Sequence, residues 1–125
     1  MRKKLLLLSL PVLMLTGCTT TFTDLTSHHQ ARNANNLYPL EVQFESHQQT
    51  LRWESIKPQI MVGTEFYPLR ATPLMTNRWE GVIPVRPGTK TVSYHYKFDF
   101  DYNAMGSPRS DSALSPDYTL HIMEK

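Results

Sequence analysis

Between Val92 and Tyr102, apolar and aromatic side chains fall on every second position: Val92, Tyr94, Tyr96, Phe98, Phe100 and Tyr102. Thr91, Ser93, His95, Lys97, Asp99 and Asp101 alternate with them. Successive side chains of a strand point to opposite faces, so this stretch predicts a strand with one aromatic and one polar face. Arg86-Pro87-Gly88-Thr89 stands just before it. Proline sets φ at the second position of a turn and glycine accepts a positive φ at the third, the chemistry of a type II turn. On the incoming side Trp79, Gly81, Ile83 and Val85 share one face. The run from Arg78 to Tyr102 is therefore expected to be a β-hairpin.

The same period recurs on either side. Leu40, Val42 and Phe44 alternate with Glu41, Gln43 and Glu45, a half-buried strand; Leu51 and Trp53 suggest a short or irregular one. Pro58 opens a strand over Gln59 to Val62, and Gly63 closes it. Glu65 to Leu69 reads as an edge segment ended by Pro68 and Pro73, since proline cannot donate to a ladder. The stretch from Asn103 to Asp117 is rich in Gly, Ser and Pro and reads as a long loop holding Arg109 and Asp111. Tyr118, Leu120 and Ile122 form the last strand. No helical period and no internal repeat is visible. About seven short strands with turns at frequent intervals predict an all-β fold, a small antiparallel β-sandwich over residues 37–125.

The first residues follow a different pattern. Arg2, Lys3 and Lys4 precede an apolar run from Leu5 to Leu15 that is interrupted by Ser9 and Pro11. Spanning a bilayer as a helix takes about 20 apolar residues, so this run reads as a signal peptide. It ends in Leu15-Thr16-Gly17-Cys18, which closely resembles the lipobox of bacterial lipoproteins. The resemblance implies cleavage after Gly17, diacylglycerol on the Cys18 sulfur and an acyl chain, such as palmitate, on the new amino terminus. More than one chain is needed for stable anchoring, and this arrangement supplies three. It also implies a cell-envelope location. Thr19, where an aspartate favours retention at the inner membrane, points to the outer membrane in a Gram-negative host. Residues 1–17 are thus expected to be the signal peptide and 18–36 the lipidated terminus and a flexible tether. From Thr19 to Asn36 only Phe22 and Leu25 are sizeable apolar residues. Adjacent His28 and His29 on such a tether organise no metal site.

Charge changes the picture once the signal peptide is set aside. Removing Arg2, Lys3 and Lys4 from thirteen basic residues leaves ten against eleven acidic ones, a formal charge of −1. That argues against a nucleic-acid partner. The single cysteine rules out an internal disulfide and a cysteine-based zinc site. Ser107, Ser110, Ser112 and Ser115 lie near Asp111 and Asp117, with His95 and His121 on polar faces, but no nucleophile-elbow motif joins them. The expectation is a protein that is not an enzyme and carries no catalytic residues, cofactor or metal.

Four segments carry a second resemblance. Ile60-Met61-Val62-Gly63, Asn77-Arg78-Trp79-Glu80-Gly81-Val82, Val85-Arg86-Pro87-Gly88 and Tyr94-His95-Tyr96-Lys97-Phe98-Asp99 together resemble the immunoglobulin-like early-set domains that include glycogen- and starch-binding modules. The likeness implies an immunoglobulin-like sandwich. In sugar-binding members an exposed tryptophan follows the first glycine, whereas here Thr64-Glu65-Phe66-Tyr67-Pro68-Leu69 follows. Tyr67 is then the substitute platform and Lys97 the polar partner. Phe66 and Tyr67 are adjacent in a strand, so only one of them can face the core. The leading expectation is a lipid-anchored, non-enzymatic structural or protein-interaction module with an unknown envelope protein as partner. The alternatives are a surface carbohydrate-binding lipoprotein with a glycan ligand, or an accessory subunit of an envelope machine that docks by strand addition.

Overall fold

The computed structural model describes residues 20–47 and 50–124. Within them the chain forms ten strands: β1 (Thr20–Asp24), β2 (His29–Ala31), β3 (Leu37–Ser46), β4 (Leu51–Val62), β5 (Glu65–Pro68), β6 (Arg70–Ala71), β7 (Arg78–Pro84), β8 (Thr91–Ala104), β9 (Ser107–Leu114) and β10 (Tyr118–Met123). One sheet has the order β1-β3-β7-β6; the other runs β2-β10-β8-β4-β5, with β9 also paired to β8. Every pairing is antiparallel except β2 with β10, which is parallel. The all-β sandwich expected from the alternation is the fold, with ten strands in place of about seven.

Alternation places the core. From β3 come Tyr38, Leu40, Val42 and Phe44; from β7, Trp79 and Ile83; from β8, Tyr94, Tyr96, Phe98 and Phe100. All are buried, and the polar residues between them face outward, as a half-buried strand requires. The aromatic rings interlock: Phe44 and Phe98 have centroids 4.8 Å apart, and Trp79 and Phe22 each meet Phe98 edge-on at 5.2 Å. Such offset and edge-to-face contacts add stabilisation beyond the area buried.

Four expectations are corrected. The run from Arg78 to Tyr102 is not a hairpin, because β7 pairs with β3 and β8 pairs with β4 and β10. The turn itself forms, with Gly88 at φ 89° and the Thr89 amide donating to the Arg86 carbonyl at 3.2 Å. However, residues 85–90 are long enough to cross the roughly 10 Å between packed sheets, so the turn becomes an arch. Alternation specifies which face is apolar, not which strand lies alongside. The supposed loop from Asn103 is instead the continuation of β8, a tight reversal at Met105-Gly106, and β9. β9 is exposed along most of its length and so lacks the apolar period by which strands are recognised.

Pro58 does not open a strand; β4 runs through it, with an irregularity between Arg52 and Lys57. The tether is corrected as well. Thr20–Asp24 pairs along its whole length with Val42–Ser46, and His29–Ala31 pairs with His121–Met123. The folded domain therefore includes Thr20–Asp24 and His29–Ala31 rather than beginning at Leu37. Threonines favour strands, but only Phe22 of β1 offers a large apolar group to the core, too little to register as a pattern.

Candidate functional site

β1 and β2 belong to different sheets, so the chain crosses the open side of the sandwich at residues 25–28. Asp24 ends β1 on the inward parity of Phe22, and its side chain is only 3% exposed. Tyr94 and Tyr96, on the inner face of β8, donate their hydroxyls to its two oxygens at 2.5 and 2.7 Å. The Thr26 amide donates at 3.2 Å, and His28 Nε2 lies 2.8 Å from Oδ2. Thr26 extends the cluster. Its hydroxyl is 3.1 Å from the Tyr96 hydroxyl and accepts the Glu41 amide at 2.9 Å.

The electrostatics follow from these contacts. Burial pushes the Asp24 carboxyl up, but the bonds from Tyr94, Thr26, His28 and Tyr96 outweigh it and hold the group below its ordinary value. Burial, together with the neighbouring carboxylate, pushes the Tyr94 and Tyr96 phenols well above theirs. Tyr118, half-buried beside them, moves the same way, chiefly through burial. At neutral pH the cluster is thus one carboxylate held by two neutral phenols. Its hydrogen-bonding capacity is turned inward, where it joins the crossing segment to both sheets.

The rest of the crossing segment is tied down too. Gln30 donates to the carbonyls of Ser27 and Pro39, both at 2.9 Å. Arg32 grips the Glu124 carboxylate through Nε and Nη2 at 2.6–3.0 Å and donates to the Thr89 carbonyl. None of these partners is near in sequence except Ser27, so nothing local announces them. The signal that could have pointed to Asp24 lies in β8. Two tyrosines on a core face each need a partner for a buried hydroxyl.

The residues singled out from sequence are distributed as follows. Cys18 lies outside the described residues. Tyr67 pairs across the ladder with Ile60, and Ile60 with Tyr96, so Tyr67 shares the inward parity and packs against the core. Phe66 is the exposed member of the pair. Lys97 is flanked by the core residues Tyr96 and Phe98, points outward, and sits 3.5 Å from Asp99. Tyr67 and Lys97 therefore lie on opposite faces of one sheet and form no joint platform. The cause is the period-2 alternation, which sends the two rows to opposite sides. Tyr67 instead donates its hydroxyl to Glu65 at 2.5 Å.

The serines beside Asp111 act as cross-strand partners: Ser110 donates to Asp101 at 2.8 Å and Ser112 to Asp99 at 2.6 Å. His28 joins Asp24, while His29 points the other way and stacks on His121 at 4.8 Å. His95 faces Asp117 at 3.3 Å. Among the described residues no group of three His, Cys, Asp or Glu side chains is placed to hold a metal ion.

Open hollows mark the surface formed by the described residues. A groove of about 1170 Å³ lies between the crossing segment and the outer face of β3 and β7, along Gln30, Pro39, Glu41, Arg70, Glu80 and Val82. Its charges are matched, Arg70 with Glu80 at 3.0 Å and Glu41 with Arg78 at 3.8 Å. A smaller hollow of about 560 Å³ on the other sheet holds Lys57, Lys97, Asp99, Asp101 and the paired serines.

Comparison of the chain with protein-family models, curated proteins and solved structures gave no match. The geometry defines the class by itself: a two-sheet β-sandwich whose first strand pair changes sheets and is clamped by a buried carboxylate. Its densest polar chemistry is committed to holding that crossing.

Proposed function

We propose that the chain is a lipid-anchored protein of a bacterial cell envelope, attached through Cys18, whose sandwich serves as a non-enzymatic structural or protein-interaction module. One observation carries this reading: Leu15-Thr16-Gly17-Cys18 stands at the end of a basic-then-apolar leader, the order that a lipoprotein signal peptide requires. Two further observations support it. Thr20, two positions after the cysteine, already lies in a strand paired with β3, so little chain separates the lipobox from the sandwich. The acid, histidine and phenols that could have formed a reactive centre are instead bonded to one another across the sheets.

The test is Cys18→Ala. In a host that processes lipoproteins, the variant is expected to lose metabolic fatty-acid labelling. It should leave the membrane fraction or accumulate as uncleaved precursor. Labelling equal to that of the unaltered protein would overturn the reading.

A further inference from the structure

The two most exposed large apolar side chains among the described residues are Leu74 and Met105. Each sits at the tip of a reversal and holds a left-handed backbone, φ 64° and 51°. Turn chemistry favours Gly, Asn or Asp there, and the chain follows that rule at Asn36 and Asn77. Apolar side chains in strained backbone, fully in water, point to a use outside the folding of the sandwich.

Both tips lie at one end of the molecule. β1 starts there, Thr20 opposite Ser46. β3 ends there and leads within a few residues into β4 at Leu51. The β6–β7 connection carrying Leu74 and Met75 returns there, since the Phe44 amide donates to the Asn77 carbonyl at 2.9 Å. The β8–β9 reversal overhangs the same end, because Tyr102 pairs with Leu51 and the strand continues past it to Ala104. Trp53, half-exposed and stacked on Trp79, and Met75, similarly exposed, complete the apolar set. At the opposite end the β7–β8 arch presents Arg86, Pro87, Gly88 and Lys90 to solvent, beside Leu37 and Met123, which are about half-exposed and, unlike Leu74 and Met105, do not hold a left-handed backbone.

We infer that this end of the sandwich, with Met105, Leu74 and Trp53 foremost, rests in the headgroup–acyl boundary of the bilayer to which Cys18 is attached. The inference builds on the lipid-anchored reading above. Its physical basis is reach. A single residue, Thr19, separates Cys18 from Thr20, a span of at most about 7 Å in any conformation. With lipid on Cys18, the end bearing Thr20 cannot leave the membrane surface, and side chains there meet the interface whether or not they suit it. Leu, Met and Trp suit it: aliphatic groups bury in the acyl boundary and the indole fits the headgroup level. Instead of standing off on a tether, the domain would be seated upright, with the Arg86–Lys90 arch turned away from the lipid.

In the lipidated protein the Cys18 sulfur is blocked, so an introduced cysteine is the single free thiol. Met105→Cys and Lys90→Cys both alter exposed positions outside the core. Each full-length variant is purified with its lipid, labelled with an environment-sensitive fluorophore and reconstituted into phosphatidylethanolamine–phosphatidylglycerol vesicles. The label at Met105→Cys should shift to the blue and be quenched by brominated lipids several-fold more strongly than the label at Lys90→Cys. Equal quenching at the two positions, or stronger quenching at Lys90→Cys, would overturn the seating while leaving the anchor intact. Mass spectrometry of the same preparations reads the anchor separately. An unmodified Cys18 would overturn the lipid-anchored reading and the seating with it.

Discussion

At the scale of the residue, Asp24 is where the crossing segment is bonded to β8. Replacing it by asparagine keeps the shape but removes the charge that two phenols, an amide and His28 address. Hydrogen bonds to a charged group contribute about 1.5–3 kcal/mol, so Asp24→Asn should destabilise the domain by about that amount in chemical denaturation. The pH dependence follows from the shifts. The Asp24 carboxyl is held below its ordinary value in the fold, so its contribution is complete above the unfolded carboxyl pKa of about 3.9. It is lost as pH falls through the lower folded value. Tyr94 and Tyr96 are held above their ordinary value, so their contribution is complete below about pH 10 and is lost as pH rises beyond it. Urea titrations across pH should show the acid-side fall flattened in Asp24→Asn and the alkaline fall retained in part.

Neighbouring residues of β8 make the sharpest contrast. Phe98 is fully buried against Phe44, Trp79 and Phe22, whereas Lys97 points outward beside Asp99. Phe98→Ala should cost about 3–5 kcal/mol and lower the melting temperature steeply. Lys97→Ala, which removes only an exposed pair, should cost less than about 1 kcal/mol. Equal losses in a thermal melt would contradict the assigned faces.

At the scale of the element, close approach of chains decides more than propensity does. The segment leaving β5 passes over β7 at Gly81, where an added Cβ would lie 2.8 Å from the Pro68 carbonyl oxygen and 3.1 Å from Leu69. Backbone cannot yield as a flexible side chain does. Gly81→Ala should therefore cost about 1–3 kcal/mol, the usual penalty of overpacking, measured as a shift in the denaturation midpoint. The edges show a related economy. β5 has four residues and β6 two, and β4 carries an irregularity along its unpaired part, whereas β9, paired only with β8, is an eight-residue edge. Short and irregular edges resist pairing with other chains.

At the scale of the whole molecule, the crossing segment closes the sandwich. Without residues 20–36, Phe22 leaves the cluster of Phe44, Phe98 and Tyr96, and two buried phenols lose their carboxylate. A protein starting at Leu37 should lack cooperative unfolding and sharp near-ultraviolet dichroism, while one starting at Thr19 should show both. A cooperative melt at the same temperature for the shorter chain would return residues 18–36 to the role of a tether.

What the sequence determined by itself is the class and the faces: Tyr94, Tyr96, Phe98 and Phe100 inward, Lys97 and Asp99 outward, and a reversal at Pro87-Gly88. These are consequences of a period of two and of local turn chemistry, and both can be read along a single strand. Tertiary structure alone decided that the reversal is an arch between sheets, that Ser107–Leu114 is a strand, and that Asp24 meets Tyr94 and Tyr96 across 70 and 72 positions of chain. The reason is the same in each case. A strand's partner is chosen by hydrogen bonds and packing from elsewhere in the chain, and a polar residue's burial depends on donors that arrive only once the sheets have assembled.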